Sequence, residues 1–319
     1  MNLFVGHASA LEYWRAHPLD ATEERSSRSL ALANCMTSLR DIAELGCSRY
    51  GMRSDPLHIV AADRSACHSS THLVCHVMTG LMPARAFARV AHRLYVSSPE
   101  LCVLQMACSM PLPLLVELAD ELCGFYRLNP TAPNGFTEAR PVTTPAKLRA
   151  FASRIGQVRG AATMRAAMRY VVSRSASPRE TTTTTLLCLP HALGGYGLEL
   201  PHMNSKVPVR EHTPFGVAAK ELFCDLYWPA YKLAVEYDSD LHHTGERRIS
   251  RDSKRRSSLG QEGIYVVTLT NAQLKSTFDF DEIASLLAKR MGKRLRIRMA
   301  DFPERRLRLR TMLLSRRRG

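Results

Sequence analysis

The sequence predicts an α/β C-terminal half, a mixed sheet flanked by helices, preceded by an α+β N-terminal domain. Three observations lead there. From Ser177 to Gly292 the apolar period switches in the order helix, hairpin, helix, strand, helix. Residues 57–126 read instead as three strand-like pieces followed by helices. Between the two lies NPTAPNGFTEARPVTTP (129–145), a Pro-, Thr- and Asn-rich run that marks a boundary. The predicted organisation is a domain over 1–128, a linker and helical segment over 129–174, an α/β domain over 175–291 and a basic tail over 292–319.

ASALEYWRA (8–16) and SRSLALANCMTSLRDIAEL (27–45) have helical spacing, the second stopping before Gly46 as at a C-terminal cap. LHIVAA (57–62), THLVCHVM (71–78) and ARVAHRLYVSS (88–98) read as strands, and 99–126 as helices broken at Pro111 and Pro113. Those prolines, with Gln105 and Glu117, also argue against a membrane span in the apolar window that opens at Leu101. Two helices follow at 146–156 and 160–174. SPRETTTTTLLCLP opens a helix with Ser177 as N-cap, Pro178 at the first position and Glu180 in the first turn, where the free amides favour a carboxylate. Gly194, Gly195 and Gly197 suggest a flexible connection. Then come the hairpin KELFCDLYWP and YKLAVEYD, a helix over 247–262 capped by Gly263, the buried strand IYVVTLT, and the closing helix DFDEIASLLAKRMG.

With 45% hydrophobic and 23% charged residues in 319, the chain has a globular composition. A net charge of +15 points to polyanions as partners. From Lys289 to Gly319 thirteen Lys or Arg stand against Asp301 and Glu304. Nine cysteines, an odd number in apolar contexts, fit reduced thiols and a cytoplasmic location, and the opening MNLFVGHASALEYWR lacks the form of a secretory signal.

The chemistry concentrates in KLAVEYDSDLHH (232–243). Alternation along a strand puts Glu236 and Asp238 on one face, and a turn over Pro229–Lys232 sets Asp225 opposite Glu236, with Cβ atoms about 5 Å apart. Three clustered carboxylates repel one another and raise each other's pKa unless a cation neutralises them. A hard divalent ion, Mg²⁺ or Mn²⁺, suits Asp225, Glu236 and Asp238. The competing reading is a solvated face paired with nearby arginines. His242 and His243 follow closely enough to move protons there. Arg247, Arg248, Arg251, Lys254, Arg255 and Arg256 on the next helix can hold phosphate. CHSSTHLVCH (67–76) has metal-ligating residue types without the paired spacing of a zinc site.

Taken together, VEYDSDLHH with Asp252, Arg255, Leu259 and Gly263 beyond it resembles the Vsr-like branch of the PD-(D/E)XK nuclease superfamily, the very-short-patch-repair-like endonucleases. SPRE, PHMN and CDLYWP fit the same layout, and the resemblance covers 175–291. It implies a metal-dependent DNA endonuclease. Asp225 stands as the motif aspartate and Glu236 as the acid of the next motif. Asp238 is where the signature lysine would be, Glu180 is the first-helix acid, and His242 is the branch's histidine. Ser239 follows Asp238 where the branch usually has Gly. HASALEYWR and YVSSPELCVLQMA more faintly resemble abortive-infection type IV antitoxins, without their usual winged helix; that implies a regulatory or defence context with a toxin or another protein as partner. The expected function is hydrolysis of DNA phosphodiesters. The alternatives are a DNA-binding antitoxin or transcriptional regulator built on a catalytically decayed nuclease fold, and a nuclease acting on RNA.

Overall fold

A computed structural model describes residues 1–17, 32, 35–65, 67, 69–79, 83–213, 216–238 and 246–315, with side chains at 211–213, 216–218 and 246–252 outside the description. The chain forms two units, Met1–Val171 and Val172–Gly319, each mixing helices with a sheet.

The first unit runs β1 (Leu3–Val5), α1 (His7–Ala16), α2 (Leu39–Leu45), β2 (Leu57–Ala61), β3 (Leu73–Val77), β4 (Phe87–Ala91), β5 (Leu94–Ser97), α3 (Pro99–Met106), α4 (Leu112–Cys123), β6 (Tyr126–Leu128), β7 (Phe136–Glu138), α5 (Pro145–Arg154) and α6 (Ala161–Ala167). Its five-stranded sheet has the order β3-β2-β1-β5-β4. The expected strand over 88–98 is a hairpin instead, because Arg93 takes a left-handed φ of +62° and reverses the chain. The helix expected over 27–45 is helical at Leu39–Leu45; Cys35 bridges to Asn2, and residues 27–31, 33 and 34 lie outside the described ones. Helices α3 and α4 break at the prolines as expected, and among the described residues no helix is long and apolar enough to cross a membrane.

The segment 129–174, expected as a linker with helices, instead completes this core up to Val171. Leu148, Phe151, Met164 and Val171 are buried with Phe4, Trp14 and Phe87. The Pro- and Asn-rich run joins β6 to β7 and closes a short hairpin. Fully buried Arg127 fastens that hairpin, donating to the carbonyls of Glu121, Leu122, Gly124 and Arg140.

Three imidazoles from three elements meet in this unit. His7, at a left-handed φ of +50°, stacks on His76 with ring centres 3.5 Å apart, and His58 Nδ1 lies 2.9 Å from His76 Nε2. Gly6 leaves no room for a Cβ against Val60, and the Gln105 side chain takes the His7 amide, so the chain is fixed here. Burial, then the neighbouring imidazoles, lowers His7 to about 3 and His76 to about 4; burial also lowers His58.

The second unit runs α7 (Pro178–Cys188), β8 (His202–Thr213), β9 (Gly216–Trp228), β10 (Leu233–Asp238), α8 (Glu246–Gln261), β11 (Tyr265–Thr270), α9 (Asn271–Lys275), α10 (Thr277–Arg290) and α11 (Phe302–Leu314). The sheet order is β11-β10-β9-β8, with β9 antiparallel to both neighbours. Strands β10 and β11 are parallel, so the chain must cross over between them, and α8 is the crossover. Leu259 of α8 is fully buried with Ala234, Cys224, Val207 and Val209, which pins the helix to the sheet.

Residues 292–319, expected as a basic tail, instead include α11, which is docked by its arginines. Arg310 is buried and donates to the Leu274 and Lys275 carbonyls at 2.6 and 2.9 Å. Arg306 pairs with Asp281, which also accepts from the Tyr196 hydroxyl, and Arg305 reaches the Ala192 carbonyl at 2.8 Å. The glycine-rich loop is therefore fixed rather than a loose connection. Gly194 sits at φ +91°, and a Cβ there would lie 2.4 Å from the Arg305 carbonyl oxygen.

Two outcomes follow from these contacts. The unfolded imidazoles bind protons that the folded cluster refuses, so the first unit loses stability as pH falls from about 6.5 towards 3. Chaotrope melts at pH 7 and pH 5 read this loss, and His76→Gln reduces it. Gly194→Ala combines backbone strain with a backbone clash and should destabilise the second unit by about 1–3 kcal/mol, with earlier proteolysis of α11, read by thermal melts and limited digestion.

Candidate functional site

Glu180 is placed by the start of α7. The Ser177 hydroxyl accepts from the Glu180 amide at 3.2 Å, the N-cap the sequence predicts. In return Glu180 Oε1 accepts from the Ser177 hydroxyl at 2.9 Å, while Oε2 accepts from the Ala176 amide at 2.9 Å and the Asn204 side chain at 2.6 Å. Asn204 closes this grip from β8, where it takes a left-handed φ of +42°. It lies in PHMN, but nothing in that tetrapeptide shows which side chain it would hold.

The hairpin of β9 and β10 has the expected register. Leu233, Ala234 and Val235 pair with Trp228, Tyr227 and Leu226, and the next step aligns Glu236 with Asp225. Main-chain pairing stops there because a side chain substitutes for it: the Tyr237 amide donates to Asp225 Oδ2 at 2.8 Å. Asp225 is held at the point where the two strands part. Burial raises its pKa most, the Glu180 and Glu236 carboxylates add to that, and the Tyr237 amide and Arg255 pull it back, leaving it at about 7. Burial likewise raises Glu180, against its hydrogen bonds.

Glu236 faces α8. Arg255 Nη2 and Nε donate to its Oε1 at 2.6 and 3.1 Å, and Nη2 also donates to the Phe223 carbonyl. Arg255, expected on phosphate, therefore stands on a carboxylate. Lys254 and Arg256 are exposed on the same helix. Asp238 closes β10 in an exposed position opposite Thr270, and Glu180 is the larger of the two carboxylate influences on Asp225, ahead of Glu236. His242 and His243 lie outside the described residues, as do the side chains of Arg247, Arg248 and Arg251.

Among the described residues, no three His, Cys, Asp or Glu side chains converge as a ready metal cage. Asp225 and Glu236 are nevertheless aligned across the hairpin, and Asp225, raised first by burial, also feels the Glu180 and Glu236 carboxylates. One or two carboxylates with water and a phosphate oxygen suffice for Mg²⁺. The pair fits such an ion once Glu236 Oε1 is released.

The two units make this a mixed α/β protein. Compared with models of protein families, with curated proteins and with solved structures, the chain finds no match.

The acids also set a pH dependence. Asp225 and Glu180 bind protons more tightly folded than unfolded, so without divalent ions the stability they contribute is full below about pH 4 and lost as pH rises through about 7. Asp225→Asn keeps an acceptor for Tyr237 and removes the buried charge. At pH 8 in chelator it should stabilise the second unit by on the order of 1–3 kcal/mol, and at pH 5 by much less, measured by paired melts.

Proposed function

We propose that the second unit is a metal-dependent endonuclease that hydrolyses DNA phosphodiester bonds, on the Vsr-like PD-(D/E)XK plan. The observation that carries the reading is Asp225, aligned with Glu236 and under the charge of Glu180, where β9 and β10 part, next to a helix rich in arginine. The order α7, β8–β9–β10, α8, β11 supports it, being the helix, hairpin, helix and strand of the expected layout with one more strand at the edge.

Mg²⁺ or Mn²⁺ would be held by Asp225 and Glu236, with Asp238 at the rim, and would supply Lewis-acid polarisation of the phosphate and acidification of a water. The residues of the chain do the rest. The Tyr237 amide fixes Asp225 Oδ2, so Oδ1 would be the oxygen offered to the ion. Glu180 is held by three donors and keeps the patch negative, which favours a cation over a bare anion. Lys254 and Arg256 are exposed where a duplex backbone would meet α8, and their charges draw and orient phosphate. His242 is the candidate to pass a proton to the leaving oxygen.

A second reading has its own observation. The Glu236–Arg255 pair satisfies the acid without an ion, as in a nuclease fold that attaches to DNA and no longer cuts, serving as an antitoxin or transcriptional regulator. Supercoiled plasmid incubated with the full chain and Mg²⁺ or Mn²⁺ separates the two. The nuclease reading expects nicked and linear products, with rates reduced roughly a hundredfold or more by Glu236→Gln or Asp225→Asn. Intact plasmid, with binding that weakens steeply as salt rises, would instead establish the attachment reading.

A further inference from the structure

Resting on the metal-dependent reading, the question is what Arg255 does. Its position leaves little freedom. Leu259, one turn further along α8, is fully buried against the sheet, so Arg255 is held facing β10. Two of its donors converge on a single oxygen, Glu236 Oε1, and one also reaches the Phe223 carbonyl on β9. Its side chain is 35% exposed and that of Glu236 20%, so the pair lies at the mouth of the acid patch rather than deep beneath it. Arg255 also lowers the pKa of Asp225, which burial and the Glu180 and Glu236 carboxylates raise.

A guanidinium and a divalent ion therefore want the same oxygen. An arginine fork matches phosphate as well as it matches carboxylate, and this one needs only to swing from the mouth of the site to meet a backbone lying across it.

We infer that Arg255 is an internal counter-ion: a divalent cation displaces it from Glu236, and the freed guanidinium then holds the phosphate of the nucleic acid. Two consequences follow from linkage. The arginine lowers metal affinity in the free protein, because the ion must first break the pair. Metal and phosphate also bind cooperatively, since the ion releases the arginine that phosphate needs and phosphate holds that arginine away from Glu236. Arg255 is thus a positioning residue whose charge changes partner, so nucleic acid and ion load together.

The test uses the full chain and two measurements that do not depend on turnover. Mn²⁺ binding is titrated by the electron spin resonance signal of the free ion, and binding of a short labelled duplex is followed by anisotropy with and without Ca²⁺. Arg255→Gln should bind Mn²⁺ about tenfold tighter than wild type or more, a gain of about 1.4 kcal/mol. In the same variant the rise in duplex affinity caused by Ca²⁺ should shrink or vanish. Arg255→Lys, which keeps the charge without the fork, should fall between and covers the case in which the glutamine variant does not fold. Equal Mn²⁺ affinity in wild type and Arg255→Gln would overturn the counter-ion role while leaving the metal site standing. Absence of Mn²⁺ binding in wild type and in every variant would overturn both.

Discussion

The second unit is organised around one hydrogen bond, from the Tyr237 amide to Asp225 Oδ2. A carboxylate that takes over a main-chain partner ends the β9–β10 ladder and is fixed as it does so. The bond also offsets part of the cost of burying the charge, which is why Asp225 can remain between two other acids. Glu180 is held in the same way, by an amide, a hydroxyl and a carboxamide, and Glu236 by a guanidinium. Each acid is thus anchored separately, by its own donors.

Arg255 links these acids to the basic character of the chain. Cations here fall into two kinds by exposure. Arg127, Arg306 and Arg310 serve structure: their guanidinium groups satisfy carbonyls or carboxylates that packing would otherwise leave without partners. Lys254 and Arg256 are exposed on α8 and suit a polyanion. Arg255 stands between the two kinds, bound to a carboxylate at the mouth of the site, and a change of partner there would couple charge neutralisation to nucleic-acid capture.

What could be read in advance followed from short-range rules. The tight turn at Pro229–Tyr231 sets the hairpin register, so the alignment of Asp225 with Glu236 was legible, as was the Ser177 cap that fixes Glu180. Strand β8 was not, because its polar residues and Pro208 hide an edge strand whose partner supplies the regularity. Alternation along β10 places Glu236 and Asp238 on one face, while Glu180 comes to Asp225 from α7, a placement that strand spacing does not carry. The arginines of α11 looked like a solvated run because charge patterning does not reveal that their heads reach the carbonyls of Leu274, Lys275 and Ala192. The same limit applies to residues 129–171, where buried Arg127 turns a boundary-like run into part of a core.

The proposed reading has Asp225 and Glu236 sharing a divalent cation. Crystals soaked in Mn²⁺ and measured at a wavelength where manganese scatters anomalously test it most directly. An anomalous peak is expected roughly 2.0–2.3 Å from an oxygen of each carboxylate, with Arg255 turned away from Glu236. Crystals with no manganese at the pair and the arginine still on Glu236 would contradict it.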